Sequence, residues 1–155
     1  MLYNDDFCEN FDEMYELAKR IATEAHKGQK DDAGVDYINH PLTVSTFCKN
    51  KKAKIAALLH DTIEDTFITK EYLLEKGILP EIVDAVVLVT KEEGYNPEEY
   101  FTRIKNNAIA REVKIADLTH NSDLSRIKKP NEHQIKRVEK YKRQMAFLQG
   151  KIEKI

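Results

Sequence analysis

The stretch that most limits how this chain can fold is AKIAALLHDTIEDT, residues 53 to 66. At about 100° per residue, Ile55, Leu58, Leu59, Thr62 and Ile63 share one side of a helix, while His60, Asp61, Glu64 and Asp65 fall on the other. The first half is apolar all round, Ala56 and Ala57 on the would-be wet side included, which predicts one helix over residues 53–65 running through the core. Ionisable groups carried into a core are costly unless they are paired or bound to a cation. One helical turn stacks Glu64 over His60 and Asp65 over Asp61. All four are therefore expected to be buried. His60 and Asp61 would hold a divalent ion, and the other two carboxylates would orient or deprotonate the water that the ion acidifies. The competing expectation is a polar face with ordinary ion pairs.

Helical periodicity accounts for most of the remaining chain. Phe11, Met14, Leu17, Ala18, Ile21, Ala22 and Ala25 recur at three- and four-residue steps, predicting an amphipathic helix from Phe11 to Lys27 that stops at Gly28. Residues 28–40, GQKDDAGVDYINH, are polar and read as a loop, after which Pro41 opens a short helix to Cys48. Thr69 is an N-cap for a helix ending at Gly77, Pro80 opens EIVDAVVLVTK, and Asn96-Pro97 starts a helix through Lys105. The valines of EIVDAVVLVTK suit a strand, but no partner strand of similar character exists, so helix is expected there too. Residues 108–124 and 131–153 complete the series, the latter with Ile135, Val138, Tyr141, Met145, Leu148 and Ile152 on one stripe that fits a core face better than a dimer seam. The expected fold is all-α, a compact multi-helix domain spanning residues 1–155, with no repeat and no linker.

Charge excludes some functions. A net charge of −2 gives no general attraction to nucleic acid or to a membrane, so any anion site must be local. The acidic start MLYNDDFCEN lacks the basic and apolar regions of a secretion signal, and no segment is apolar for long enough to cross a bilayer, so a cytoplasmic location is expected. Cys8 and Cys48 have no CxxC spacing and are read as reduced small hydrophobes, not as a disulfide or a zinc pair.

Two ligands rarely suffice for an ion, and two further segments offer candidates. His40 lies in DYINHP, where a loop meets the helix opened by Pro41. In VKIADLTHN, Lys114, Asp117 and Asn121 fall at i, i+3 and i+7 on one helical face, with His120 one step aside. The order is His, then His-Asp, then Asp. With AHKGQ, YINHP, ALLHDTIEDT, LVTK and VKIADLTHN in sequence, residues 11–150 resemble the HD superfamily of metal-dependent phosphohydrolases. The likeness is greater to the hydrolase domain of the RelA/SpoT group and to the small stand-alone alarmone hydrolases.

That resemblance implies that His40, His60, Asp61 and Asp117 bind one divalent ion, usually Mn²⁺ in the group, although a mixed nitrogen and oxygen set also accepts Fe, Zn or Ni. It implies that Glu64 and Asp65 position or activate the attacking water. Asn121 and Lys114 match positions near the bound nucleotide, with Lys30 and Tyr37 as further substrate-facing candidates. The implied reaction removes pyrophosphate from the 3′ position of ppGpp or pppGpp, leaving GDP or GTP. No synthetase region is expected beside this hydrolase part. Three positions depart from the group's pattern: Asp31 stands where a basic residue commonly packs on the guanine, Leu118 follows Asp117 in place of a cation, and His120-Asn121-Ser122-Asp123 replaces HN-x-R. Lys27, Lys30, Lys91, Arg103, Lys105, Arg111 and Arg126 are the alternative sources of phosphate contacts. Two other readings stay open, an HD hydrolase of another phosphorylated nucleotide and a non-catalytic HD protein that binds a nucleotide or a partner.

Overall fold

The computed structural model describes residues 3–155, with side chains from residue 10 onward except that of residue 126. The helices are α1 (Tyr3–Ala25), α2 (Asn39–Phe47), α3 (Lys51–Leu59), α4 (Thr62–Asp65), α5 (Lys70–Glu75), α6 (Pro80–Val89), α7 (Pro97–Lys105), α8 (Ala108–Asn121) and α9 (Glu132–Leu148), with a 3₁₀ turn at Leu124–Arg126 before α9. Among the described residues there is no strand, only an isolated bridge between Lys30 and Asp36. The fold class is all-α, as expected.

α3 is the axle of the molecule. Its residues Ala53, Ile55, Ala56, Ala57, Leu58 and Leu59 are each no more than 1% exposed, and α1, α2, α6 and α8 pack around it. The two alanines on the would-be wet side let neighbouring helices approach closely, while Ile55, Leu58 and Leu59 fill the opposite side. α6 holds its valine run as a helix because Pro80 sets the first turn and Ile82, Val83, Ala85, Val86 and Val89 form one buried face. The lower helix propensity of β-branched residues is offset by that burial.

Local chemistry sets the helix boundaries. Asn50, Thr69, Asn96, Asn107 and Asn131 each accept a backbone N–H of the first turn, and Asn131 with Gln134 forms a reciprocal capping box. Gly77, at φ 98°, takes the left-handed conformation that ends α5. Cys48 is free and buried, and burial pushes its thiol up to about 12, so it behaves as a small apolar residue. Cys8 lies outside the described side chains.

Several boundaries differ from expectation: α1 runs from Tyr3 to Ala25 where Phe11 to Lys27 was expected, and α8 ends at Asn121, three residues early. α2 begins at Asn39, two residues before Pro41, because Asn39 and His40 already donate to the carbonyls of Asp36 and Tyr37. α9 ends at Leu148, so Ile152 packs on the core from beyond the helix, and Ile135 at the other end is 44% exposed. The helix expected over residues 53–65 is two helices. It stops at Leu59, Asp61 adopts φ −104° and ψ 0°, and a short turn resumes at Thr62.

Leu58, with no exposed surface, reports on the axle. Leu58→Ala is expected to destabilise the protein by about 2–5 kcal/mol, through lost burial plus a residual cavity. Urea unfolding should show this as a lower midpoint with an unchanged slope.

Candidate metal centre

Three segments far apart in sequence deliver the candidate ligands to one place. The loop after α1 is tied down by Tyr37 N donating to Gln29 O at 2.9 Å, and His40 enters the first turn of α2 facing inward, 6% exposed. α3 brings His60 to its C-terminal end, and the break at Asp61 turns that carboxylate back toward His60. Asp61 occupies the bridge region of backbone space, where many active-site residues sit. α8 contributes Asp117 from its buried face.

Their donor atoms converge. His40 Nε2 lies 2.8 Å from Asp117 Oδ1 and 3.7 Å from Asp61 Oδ2. His60 Nε2 lies 3.0 Å from Asp61 Oδ2 and 3.3 Å from Asp117 Oδ1. Ligand bonds of about 2.0–2.2 Å put neighbouring donors about 3 Å apart around an ion, which is the spacing seen. The histidine tautomer fits as well. His60 Nδ1 donates to Ala57 O at 2.6 Å, so in the neutral ring the lone pair is on Nε2. That Nε2 is buried and, although close to two carboxylates, makes no hydrogen bond. His40, His60 and Asp61 thus form a group that could hold a metal ion, their ligand atoms all within 4.8 Å of one another, and Asp117 meets it through both imidazoles.

The surroundings align each ligand. Tyr37 Oη donates to Asp61 Oδ2 at 2.5 Å, Asn121 Nδ2 donates to Asp117 Oδ1 at 3.0 Å, and Lys114 Nζ pairs with Asp117 Oδ2 at 3.1 Å. His40 Nδ1 faces His120 Nδ1 at 2.7 Å. Burial alone would lower the pKa of His60, but Asp61 and Asp117 override it and hold the imidazole well above 6.5. Burial would raise Asp61 and Asp117, yet His60 brings Asp61 down to about 2, and Lys114 with the two histidines holds Asp117 well below the usual carboxylate range. These carboxylates are set to remain charged where a cation would sit.

Glu64 and Asp65 differ from expectation. Both are exposed, because the break at Asp61 swings the α4 turn to the rim of the site. They still reach the centre, since one oxygen each from Asp61, Glu64 and Asp65 lie within 4.8 Å of one another. Glu64 Oε1 accepts Lys91 N at 2.6 Å, and Gln29 Nε2 donates to the carbonyl of Asp65 at 3.1 Å. Partial burial and then the Asp61 charge raise the pKa of both carboxyls.

Two adjoining cavities lead outward, sharing Tyr37, Asn121 and Tyr141. The inner one, about 150 Å³, holds Asp61, Glu64, Asp65, Asp117, Lys91 and Lys114. The outer one, about 250 Å³, is walled by Lys30, Asp31, Asp32, Asp123 and Arg137. Arg137 comes from α9, at least 100 positions from the cavity residues of the first loop, and nothing in its local sequence marks it. Asp31 Oδ1 accepts the backbone N–H groups of Ala33 and Val35, both at 2.9 Å, and Asp123 Oδ1 accepts Ser125 N at 2.9 Å, so each carboxylate shapes its own turn. Leu118 is 2% exposed and lines the inner cavity with Val89. Lys30 pairs with Asp36 at the surface, and Lys114 lines the inner cavity with its Nζ paired to Asp117. Of the other cations, Arg103 lines a separate cavity, Arg111 donates to Lys105 O, and Lys105 lies over the Phe147 ring. Arg126 lies outside the described side chains.

No family model matches the chain. Among curated proteins it is 37% identical over 117 residues to the guanosine-3′,5′-bis(diphosphate) 3′-pyrophosphohydrolase of Haemophilus influenzae, covering 65% of this chain and 17% of that protein. It is 34% identical over 129 residues to a probable GTP pyrophosphokinase of Mycobacterium leprae, covering 76% and 16%. The chain spans about a sixth of the length of the curated relatives it matches. Among solved structures, one described as a metazoan ortholog of SpoT that hydrolyzes ppGpp superposes with a TM-score of 0.69 at 22% identity, over 87% of this chain and 84% of that one. The resemblance to the RelA/SpoT group read from the motifs thus holds in sequence, and the fold is shared with that solved structure.

Two outcomes follow from the buried charges. Asp117→Ala should abolish ion binding and also destabilise the chelated protein by about 3–5 kcal/mol, since Lys114 loses its counter-charge. Adding Lys114→Met should restore the chelated stability but not the ion, as read by melting with and without EDTA and by metal content. In chelated protein, the stabilisation from the raised His60 is complete below about pH 6.5 and lost as pH rises through its folded value. The stabilisation from the depressed Asp61 is present above about pH 4 and lost as pH falls toward 2. The melting temperature of chelated protein should therefore plateau between those limits and decline on both sides.

Proposed function

We propose that this chain is a metal-dependent phosphohydrolase that removes pyrophosphate from the 3′ position of ppGpp or pppGpp, working as one cytoplasmic hydrolase domain over residues 1–155. The observation that carries the reading is the convergence of His40, His60, Asp61 and Asp117 beneath Glu64 and Asp65, at the floor of a cavity that also holds Lys91 and Lys114. The activity for which the Haemophilus influenzae relative is named supports it.

Those four residues would hold one divalent ion, with Mn²⁺ as our assignment for a mixed nitrogen and oxygen set, and a bound ion supplies charge neutralisation at phosphate and acidification of water. Glu64 accepts a proton from the attacking water, and its backbone contact to Lys91 fixes the carboxylate at the rim. Asp65 orients the same water from the adjacent position. As the water oxygen bonds to the 3′ phosphorus, the bond from that phosphorus to the ribose 3′ oxygen breaks, and that oxygen takes up a proton from solvent and leaves as the GDP or GTP hydroxyl, while Glu64 releases the water's proton to solvent. Lys91 balances charge on the phosphoryl oxygens. Lys114 keeps Asp117 ionised and aligned. Asn121, Tyr37 and Lys30 line the path to the outer cavity and contact the nucleotide.

A second reading, hydrolysis of another phosphorylated nucleotide, is favoured by one observation: Asp31, Asp32 and Asp123 surround the outer cavity that would take the base.

The test is to give Mn²⁺-loaded protein ppGpp and separate the products by anion exchange. GDP with pyrophosphate is expected. No turnover by protein that holds one Mn²⁺ per chain would move the assignment to the second reading. Glu64→Gln should retain Mn²⁺ while lowering kcat by about 10²–10⁴. Parental turnover in that variant would remove Glu64 from its role.

A further inference from the structure

His120 has no role in the reading above, yet it touches a ligand directly. Its ring is buried in the last turn of α8, 8% exposed. Its Nδ1 lies 2.7 Å from Nδ1 of His40, and the two rings are 20° from parallel with centroids 5.0 Å apart. The Phe47 ring lies at 70° to that of His120, with centroids 6.1 Å apart.

Two imidazole nitrogens at that distance have to share a single proton between them. With none, two lone pairs face each other; with two, the N–H groups collide. Two arrangements of neutral rings satisfy this. In one, His120 donates to His40, so the His40 proton sits on Nε2 and points at Asp117 Oδ1, 2.8 Å away. That hydrogen bond uses up the nitrogen an ion would need. In the other, His40 donates from Nδ1 to His120, and its Nε2 presents a lone pair next to His60 Nε2 and Asp61 Oδ2.

We propose that His120 is a positioning residue that accepts the His40 Nδ1 proton and so holds His40 in its metal-binding tautomer. Ala57 O does the same for His60. Both ligating rings are then fixed from behind by neutral acceptors, which orient them without adding negative charge to a centre that already has two carboxylates. This inference rests on the metal-centre reading and assigns its tautomer control.

The experiment titrates Mn²⁺ into parent, His120→Leu and His120→Asn proteins by calorimetry, with melting of the chelated forms alongside. Leucine removes the acceptor, and the expected result is an about 10–100-fold loss of Mn²⁺ affinity. Asparagine can set its Oδ1 where Nδ1 stood, and recovery of most of the affinity is expected. In parent protein loaded with diamagnetic Zn²⁺, ¹⁵N NMR should find the His40 proton on Nδ1, a readout that needs no variant to fold. Parental Mn²⁺ affinity in His120→Leu, or a proton on His40 Nε2 in the loaded protein, overturns the inference. Lower chelated stability in His120→Leu with unchanged Mn²⁺ affinity does so as well, because it marks a purely structural role. A parent that binds no Mn²⁺ overturns the metal-centre reading and this inference with it.

Discussion

Burying Asp117 within a helical core costs several kcal/mol unless its charge is met on the spot, and the elements around α8 are arranged to meet it. Lys114 answers one oxygen from the same helix, while the other faces His40 from α2 and His60 from the end of α3 and accepts from Asn121 one turn on. α2, α3 and α8 therefore cannot pack in any register that leaves this carboxylate uncovered. The apolar packing of α3 supplies most of the cohesion, and the polar centre selects which of the possible packings is adopted.

Much of this was legible in the sequence, for identifiable reasons. Helix positions followed from apolar spacing, and starts followed from Thr69, Pro80 and Asn96-Pro97, because capping and φ restriction act over a few residues. The meeting of His40, His60 and Asp117 is a long-range event, and only the order of the motifs pointed to it. The break at Asp61 carries no glycine or proline to announce it. It arises because the side chain is drawn back toward His60 and Tyr37, a tertiary effect that overrides local periodicity and moves Glu64 and Asp65 from the expected core to the rim. Arg137 was invisible for a similar reason, since only the packing of α9 on α8 brings it to the outer cavity.

The three departures from the group's pattern also look different in three dimensions. Asp31 and Asp123 spend their carboxylates on neighbouring backbone N–H groups, and Leu118 is part of the wall. The cations that line the cavities are Lys91 and Lys114 inside and Lys30 and Arg137 outside, with Lys114, Lys30 and Arg137 paired to Asp117, Asp36 and Asp32. A single-position comparison counts charges lost, whereas the cavity is lined by charges drawn from four separate segments.

The loop between α1 and α2 is fastened to the centre at two points, by Tyr37 to Asp61 and by Gln29 to the carbonyl of Asp65, and the same loop forms one wall of the outer cavity. Access and ligand alignment are therefore thermodynamically linked. Tyr37 donates to Asp61 Oδ2, the oxygen that faces His40 and His60, so displacing the loop also frees a hydrogen bond on that carboxylate. The entrance of the pocket and the alignment of its floor are set by one and the same loop.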